Sequence, residues 1–303
     1  MTTVTTTTVL ADALPAKAPR RYRRVRLGAR ARAGALIGYL ILIALALIYI
    51  YPFLISVAGS FKTDADATQN PLSLVPATWS FATYKQLFTT VPLLQWTANS
   101  AFIAIVVTSG RVFFDSLAGY ALSRLHFRGR SIVFAGVVAV MAVPGVVLLI
   151  PRFLILKQFG MYDSFSGMIL PLIIDAGGIF IMKQFFESIP VSIEEAARID
   201  GAGIFRTFWS VVLPMARPAL ITLFILSFQG SWNEFSHFVI SRQSTSLNTL
   251  TTGVASLTSG ELGSGNQYPL KLGAAVLMSI PVAVLFLIFQ RRLMNTTDGG
   301  EKG

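Results

Sequence analysis

Arg111, Asp115, Asp175 and Glu234 each sit inside or at the edge of a long apolar run. A charge near the centre of a membrane-spanning helix costs roughly 2.5 to 3.5 kcal/mol, so each of these residues requires a partner. Three chemistries are open to them: charge pairing between helices, hydrogen bonding to a polar solute in transit, or exchange of a proton or cation. Arg111 and Asp115 are four residues apart and meet on one helix face. Counted from the same end of their runs, Arg111 and Asp175 stand at similar depth, so the expected arrangement is a bridge from Arg111 to Asp115, Asp175 or both. Gln229, Trp232, Asn233 and Glu234 bring an aromatic face, amides and a carboxylate together within two helical turns, the set of groups that commonly holds a polar, hydroxyl-rich solute. A tryptophan at the end of an apolar run also serves as an interface anchor. His126 and His237 fall on opposite sides of the expected membrane and cannot share a metal. No metal-ligand set and no Ser/His/Asp constellation can be assembled, and the absence of cysteine removes thiolate chemistry.

These residues are positioned by a chain of 303 residues that is 53% hydrophobic and only 13% charged, against about 25% charged residues in soluble domains. The apolar residues come in blocks close to the roughly 20 needed to cross hydrocarbon as a helix. The chain therefore reads as an all-α polytopic membrane protein with six spans at about 33–60, 98–123, 131–151, 164–183, 216–239 and 271–290 within a transmembrane domain 33–292. Ala33 to Phe61 holds no charge over 29 residues, too long for the apolar region of a cleaved signal peptide. Of the 25 Lys and Arg, 18 fall in the tail before residue 33 and in 124–130, 183–217 and 291–303, and 6 in the intervening segments 61–97, 151–163 and 240–271. The positive-inside rule places the richer set, with both termini, in the cytoplasm. The tail 1–32, with seven arginines from Arg20 to Arg32, reads as a disordered segment that meets anionic membrane lipid, not nucleic acid. The tail 293–303 is expected on the same side. No internal repeat is visible.

The segment 184–215 between spans four and five is amphipathic and too polar to cross a membrane. Ser192 and Glu195 have capping-box spacing, which starts a short helix near Ile193, and Gly201 with Gly203 supplies a left-handed stop. A second short helix then runs to Pro214. Ala196, Ala197 and Gly201 offer small side chains against which another surface can approach closely, the mark of a docking element.

Glu195-Ala-Ala, Asp200-Gly-Ala and Leu213-Pro214 resemble the EAA loop of bacterial ABC importer permeases. Ser60-Phe-Lys-Thr63, Tyr84 to Phe88, Ala118-Gly-Tyr-Ala-Leu-Ser-Arg124, Phe127-Arg-Gly-Arg130, Pro144 to Pro151, Trp232-Asn-Glu-Phe235, Gln290-Arg-Arg292 and Gly300-Glu-Lys-Gly303 resemble the carbohydrate-uptake branch, of maltose and glycerol-phosphate type, second permease subunit. The resemblance spans residues 35 to 303. It implies a type I importer permease without chemistry of its own, paired with a second permease, two cytoplasmic ATPase subunits and an extracytoplasmic substrate-binding protein. It further implies ATPase docking through Glu195, Ala196, Ala197, Asp200, Gly201, Ala202, Gly203 and Pro214, and a tail contact through Lys302 and Gly303. The phosphate-cradling pattern Gly-x4-Gly-Lys-Ser/Thr is absent, so no cofactor is expected in this chain, and ATP with magnesium belongs to the partner ATPase. The rival from the residues alone is an ion-coupled secondary transporter or channel that uses Asp115, Asp175 and Glu234.

Overall fold

The computed structural model describes residues 29–258 and 267–297, and every regular element among them is helical. In chain order these are α1 (Ala29–Ser60), α2 (Asp64–Gln69), α3 (Ala82–Thr89), α4 (Leu93–Arg124), α5 (Arg130–Met141), α6 (Leu149–Gln158), α7 (Phe165–Ile169), α8 (Ala176–Ser188), α9 (Val191–Ile199), α10 (Ile204–Thr207), α11 (Leu213–Met215), α12 (Arg217–Trp232), α13 (Ser236–Ser241), α14 (Leu250–Thr258) and α15 (Tyr268–Thr297). Among the described residues four stretches are long and apolar enough to cross a membrane, Gly34–Ser60, Leu93–Arg124, Phe165–Ser188 and Tyr268–Gln290, and two bent helix pairs raise the number to as many as six. Among the described residues, those up to Tyr51 form one unit and those from Pro52 a second. In the first, α1 exposes its large apolar side chains from Leu36 to Ile50, as befits a helix that is hydrophobic all round.

Three expected spans are not single straight helices. The run 131–151 stops at Met141, passes a 3-10 turn at Gly145–Leu148 and resumes as α6, with a 99° bend between the halves. Pro144 has no N–H to continue the ladder and pushes Val143 out of helical geometry. The run 216–239 is interrupted after Trp232, and α13 is a separate short helix. Before α12, a 79° bend joins it to the segment Ile204–Met215, between Pro214 and Pro218. The third is 164–183, which is broken inside Phe165–Ser188. There α8 begins afresh after Asp175, whose carboxylate accepts a hydrogen bond from Gly178 N at 3.0 Å as an N-cap.

In the second unit α4 runs through three successive packing layers. Trp96 and Ala104 lie among Leu87, Trp232, Leu250 and Leu270. Ile103 and Val107 meet Met168, Leu172 and Phe238. Tyr120 lies among Met182, Phe186, Phe208 and Val212. Lipid is as apolar as these side chains, so what holds the layers is close contact and interhelical hydrogen bonding. The pair α4 and α8 runs parallel, since Asp115 meets Asp175, Gly119 meets Met182, and Arg124 meets Phe186 and Ile189. A Cβ on Gly119 would stand 2.8 Å from Met182 Cβ and 2.9 Å from Lys183 N, so only glycine permits this approach.

Candidate functional site

The segment after α8 turns through Ile189 and Pro190 into α9, which starts at Val191 with Pro190 (φ −58°, ψ 132°) before it and no side-chain cap. The expected start near Ile193, behind a Ser192 cap, is therefore wrong by two residues: proline sets the extended entry and leaves no role for the serine. In this phase Glu194 and Ala197 face inward. Glu194 Oε1 lies 2.9 Å from Arg124 Nε, and Tyr120 donates its hydroxyl to Oε2 at 3.3 Å. Arg124 also donates through Nη2 to the carbonyls of Phe186 and Ile189, closing the end of α8. The two charged side chains are only 8% and 2% exposed. Tyr120 packs at 4.9 Å from the Phe208 ring and 5.8 Å from that of Phe186, and Phe208 opens a π-helical turn, Phe208–Val212. One carboxylate thus ties α9 to the ends of both parallel helices.

The opposite face of the segment is bare. Glu195, Ala196, Asp200 and Gly201 are exposed, and with them three apolar side chains, Ile199 (86% exposed), Phe205 (76%) and Ile204. Gly201, at φ +81°, ends α9 in the left-handed conformation, with its N–H on Arg198 O at 3.0 Å and Ala202 N on Ala197 O at 2.9 Å. Gly203 differs from expectation: its φ of −72° and ψ of 170° are extended backbone that starts α10.

At mid-span, Arg111 Nε donates to Leu172 O at 2.6 Å, and Asp115 Oδ1 accepts from Asp175 N at 3.0 Å. Among the described residues no ion pair joins Arg111 to Asp115 or Asp175. The expected bridge is replaced by bonds to backbone, because the discontinuity before α8 leaves a carbonyl and an N–H without helical partners, and in a membrane these must be satisfied by protein. Asp115 Oδ2 lies where a Cβ on Gly178 would stand, so that glycine makes room for it.

Of the four path candidates, two are committed to the fold. Trp232 is 3% exposed, stacks on Phe228 at 5.7 Å and donates from Nε1 to Met278 O at 3.1 Å. It presents no face to a sugar and is no interface anchor. Glu234 accepts from His237 N at 2.8 Å at the start of α13. Gln229 and Asn233 are exposed. All three carboxylates that an ion-coupled carrier would use, Asp115, Asp175 and Glu234, thus accept backbone N–H groups at or beside helix starts. No cluster of metal-ligating residues occurs among the described residues.

Residues 115–294 match the family described as binding-protein-dependent transport system inner membrane component. The chain belongs to this family. The permease is 32% identical over 263 residues to the arabinooligosaccharides transport system permease protein of Bacillus subtilis (strain 168), covering 86% of this chain and 92% of that one. It is 33% identical over 257 residues to the sulfoquinovosyl glycerol transport system permease protein of Agrobacterium fabrum, covering 84% and 89%. Among solved structures, it resembles a chain of a bacterial ABC transporter involved in the import of the acidic polysaccharide alginate, with a TM-score of 0.77 at 25% identity over 88% of this chain and 98% of that one. The family match includes the clamp and the segment 184–215, while Arg111 precedes it.

Within the permease, Glu195, Ala196, Asp200, Gly201 and Pro214 stand exposed, Ala202 is half-buried, and Ala197 is turned inward, contrary to the expectation that it belongs to the accessible face. Lys302 and Gly303, like the tail 1–28, lie outside the described residues. Tyr120 and Arg124 lie in the motif Ala118–Arg124 that carries part of the resemblance, but their partnership with Glu194 was not read from the sequence. The signal was there: Tyr120 and Arg124 are four apart at the end of a span, and Glu194 shares a helix face with Ala197 once the helix starts at Val191.

Proposed function

We infer that this chain is a membrane-spanning permease subunit of an ATP-binding-cassette importer for a carbohydrate, and that α9 and α10 dock it onto the ATPase. Relatives whose names specify arabinooligosaccharides, sulfoquinovosyl glycerol, diacetylchitobiose and sn-glycerol-3-phosphate support the substrate class. The observation that carries the docking assignment is the two-faced segment: one face clamped to α4 and α8 through Glu194 and Arg124, the other exposing Ile199, Ile204 and Phe205. Both termini and this segment lie in the cytoplasm, as the distribution of Lys and Arg indicates. The partners are a second permease, two ATPase subunits holding ATP and magnesium, and an extracytoplasmic binding protein. The alginate transporter has also been seen in complex with a pentasaccharide-bound periplasmic protein.

In this reading, closure of the ATPase pair on ATP displaces α9, and the Glu194–Arg124 pair passes the displacement to α4 and α8 together. The spans then shift between states that open the path to either side. The permease performs no bond chemistry; its work is to hold a path and to move with the ATPase.

The test is purification of the assembly through a tag on this chain, followed by uptake into vesicles. The wild type is expected to bring down a second permease and an ATPase and to move carbohydrate only with ATP. Ile199→Ser with Phe205→Ser is expected to lose the ATPase and keep the second permease. Unchanged ATPase recovery in that variant refutes the docking assignment, and uptake driven by an ion gradient without ATP refutes the importer reading.

A further inference from the structure

We propose that Arg111 is the anion receptor of the translocation path and that the carbohydrate moved carries an acidic group, a carboxylate, sulfonate or phosphate. This rests on the carbohydrate-permease reading above. Arg111 lies near the middle of α4, where a cation is costly. What it does for the fold does not need a charge: the bond from Nε to Leu172 O at 2.6 Å satisfies one stranded carbonyl, and a neutral amide can supply such a bond. Among the described residues no carboxylate stands within ion-pair distance of its guanidinium. Of the nearby acids, Asp115 accepts from Asp175 N through Oδ1, its Oδ2 being buried without a hydrogen-bond donor among the described residues, and Asp175 accepts from Gly178 N, each at 3.0 Å.

The remaining nitrogens of Arg111 make no hydrogen bond among the described residues, and its side chain is only partly buried. The Nε anchor sets the plane of the group. Nη1 points toward α12 at Gly230, where it lies 3.7 Å from the place a Cβ would occupy. Gly230 is exposed and carries nothing that would cover the guanidinium. On α12 and just after its end, Gln229 and Asn233 are exposed amides suited to sugar hydroxyls. A planar fork with free donors, held at one corner in a low-dielectric layer, matches the two oxygens of an acidic group. Hydroxyls alone do not require its charge. The result is a mid-membrane site in which an acid on the sugar makes the direct ion-pair contact that no carboxylate among the described residues makes with Arg111.

The experiment uses the complete assembly, with its ATPase, second permease and binding protein, in vesicles supplied with ATP. The probes are an oligogalacturonate, its uncharged methyl ester of equal length, a sulfonated sugar glycoside and a sugar phosphate; comparison of the three acids identifies which group is carried. Wild type is expected to move at least one acid and to discriminate against uncharged sugar. Arg111→Gln, with the binding protein unchanged, is expected to slow that acid about 30-fold or more, the loss that accompanies removal of one partner from a buried charge pair. Arg111→Lys, which keeps the charge without the fork, is expected to fall between the two. Equal uptake of uncharged and acidic sugars by wild type, or undiminished acid uptake by Arg111→Gln, overturns the proposal while leaving the permease reading intact. So does failure of both variants to assemble, which would make Arg111 a structural tie. Wild type that moves no carbohydrate of either kind refutes the underlying reading instead.

Discussion

Removing the carboxylate of Glu194 should unfasten α9 from α4 and α8 together. In Glu194→Ala, Arg124 loses its counter-ion at 2.9 Å in surroundings that leave its side chain 8% exposed, and Tyr120 loses its acceptor at 3.3 Å. Breaking a buried pair by deleting one partner costs about 3 to 5 kcal/mol. For a domain of this size about 1 kcal/mol corresponds to roughly 2 to 4 °C, so the melting temperature should fall by about 6 to 20 °C. Thermal challenge of the purified permease in detergent, read as the fraction still monodisperse, measures that fall. The companion variants are Arg124→Met and the double change Arg124→Met with Glu194→Met. The double variant should be much more stable than the sum of its singles, because no charge is left stranded in the dry layer. A Glu194→Ala shift below about 2 °C, or additive singles with coupling under about 0.5 kcal/mol, would refute the claim that this pair holds the segment.

Three further outcomes follow from the geometry. Asp163 (φ +59°) accepts hydrogen bonds from the Ser244 hydroxyl and from the N–H groups of Gln243 and Ser244, and these hold its carboxyl below the usual carboxylate range. Its contribution is complete above the ordinary value of about 3.9 and disappears as pH falls through the lower folded value, so Asp163→Asn should remove this part of the acid dependence of amide exchange at 243 and 244, and an identical acid limb would contradict it. Gly119→Ala should cost about 1 to 3 kcal/mol, seen as reduced melting temperature and yield, since its Cβ would meet Met182 and the backbone of Lys183 below 3.0 Å. Gly201→Ala has open space around it but a φ of +81°, so it should cost about 1 kcal/mol and loosen the end of α9, read by protease nicking between residues 199 and 204.

The helical class and the presence of several membrane-length apolar runs were legible because hydrocarbon imposes length and apolarity on every crossing. What was illegible depends on phase and partnership. The same apolar composition that marks 131–151 as membrane-embedded conceals the turn at Pro144, since a proline inside such a run can kink a helix or divide it. In the segment 184–215, Ser192 and Glu195 fit a capping box in sequence, whereas the role of Glu194 is set by Arg124, 70 residues earlier in the chain. Charge spacing likewise suggested that Arg111 would pair with Asp115; it had no means of showing that a discontinuity 60 residues away offers both of them backbone partners. Trp232 and Glu234 have the right types for sugar contact, but packing against Phe228 and capping of α13 claimed them first.

The parallel pair α4 and α8 is pinned in register at three heights, by Asp115 on Asp175, Gly119 on Met182 and Arg124 on Phe186 and Ile189. One residue gained or lost between the first and last of these points would turn everything beyond it by about 100° and advance it by about 1.5 Å. The glycine would then face lipid, and the arginine would miss its carbonyls. Relatives should therefore vary in length in their tails and connections while the intervals 115–124 and 175–189 stay constant. Those two intervals behave as a gauge block against which any alignment of such permeases can be checked.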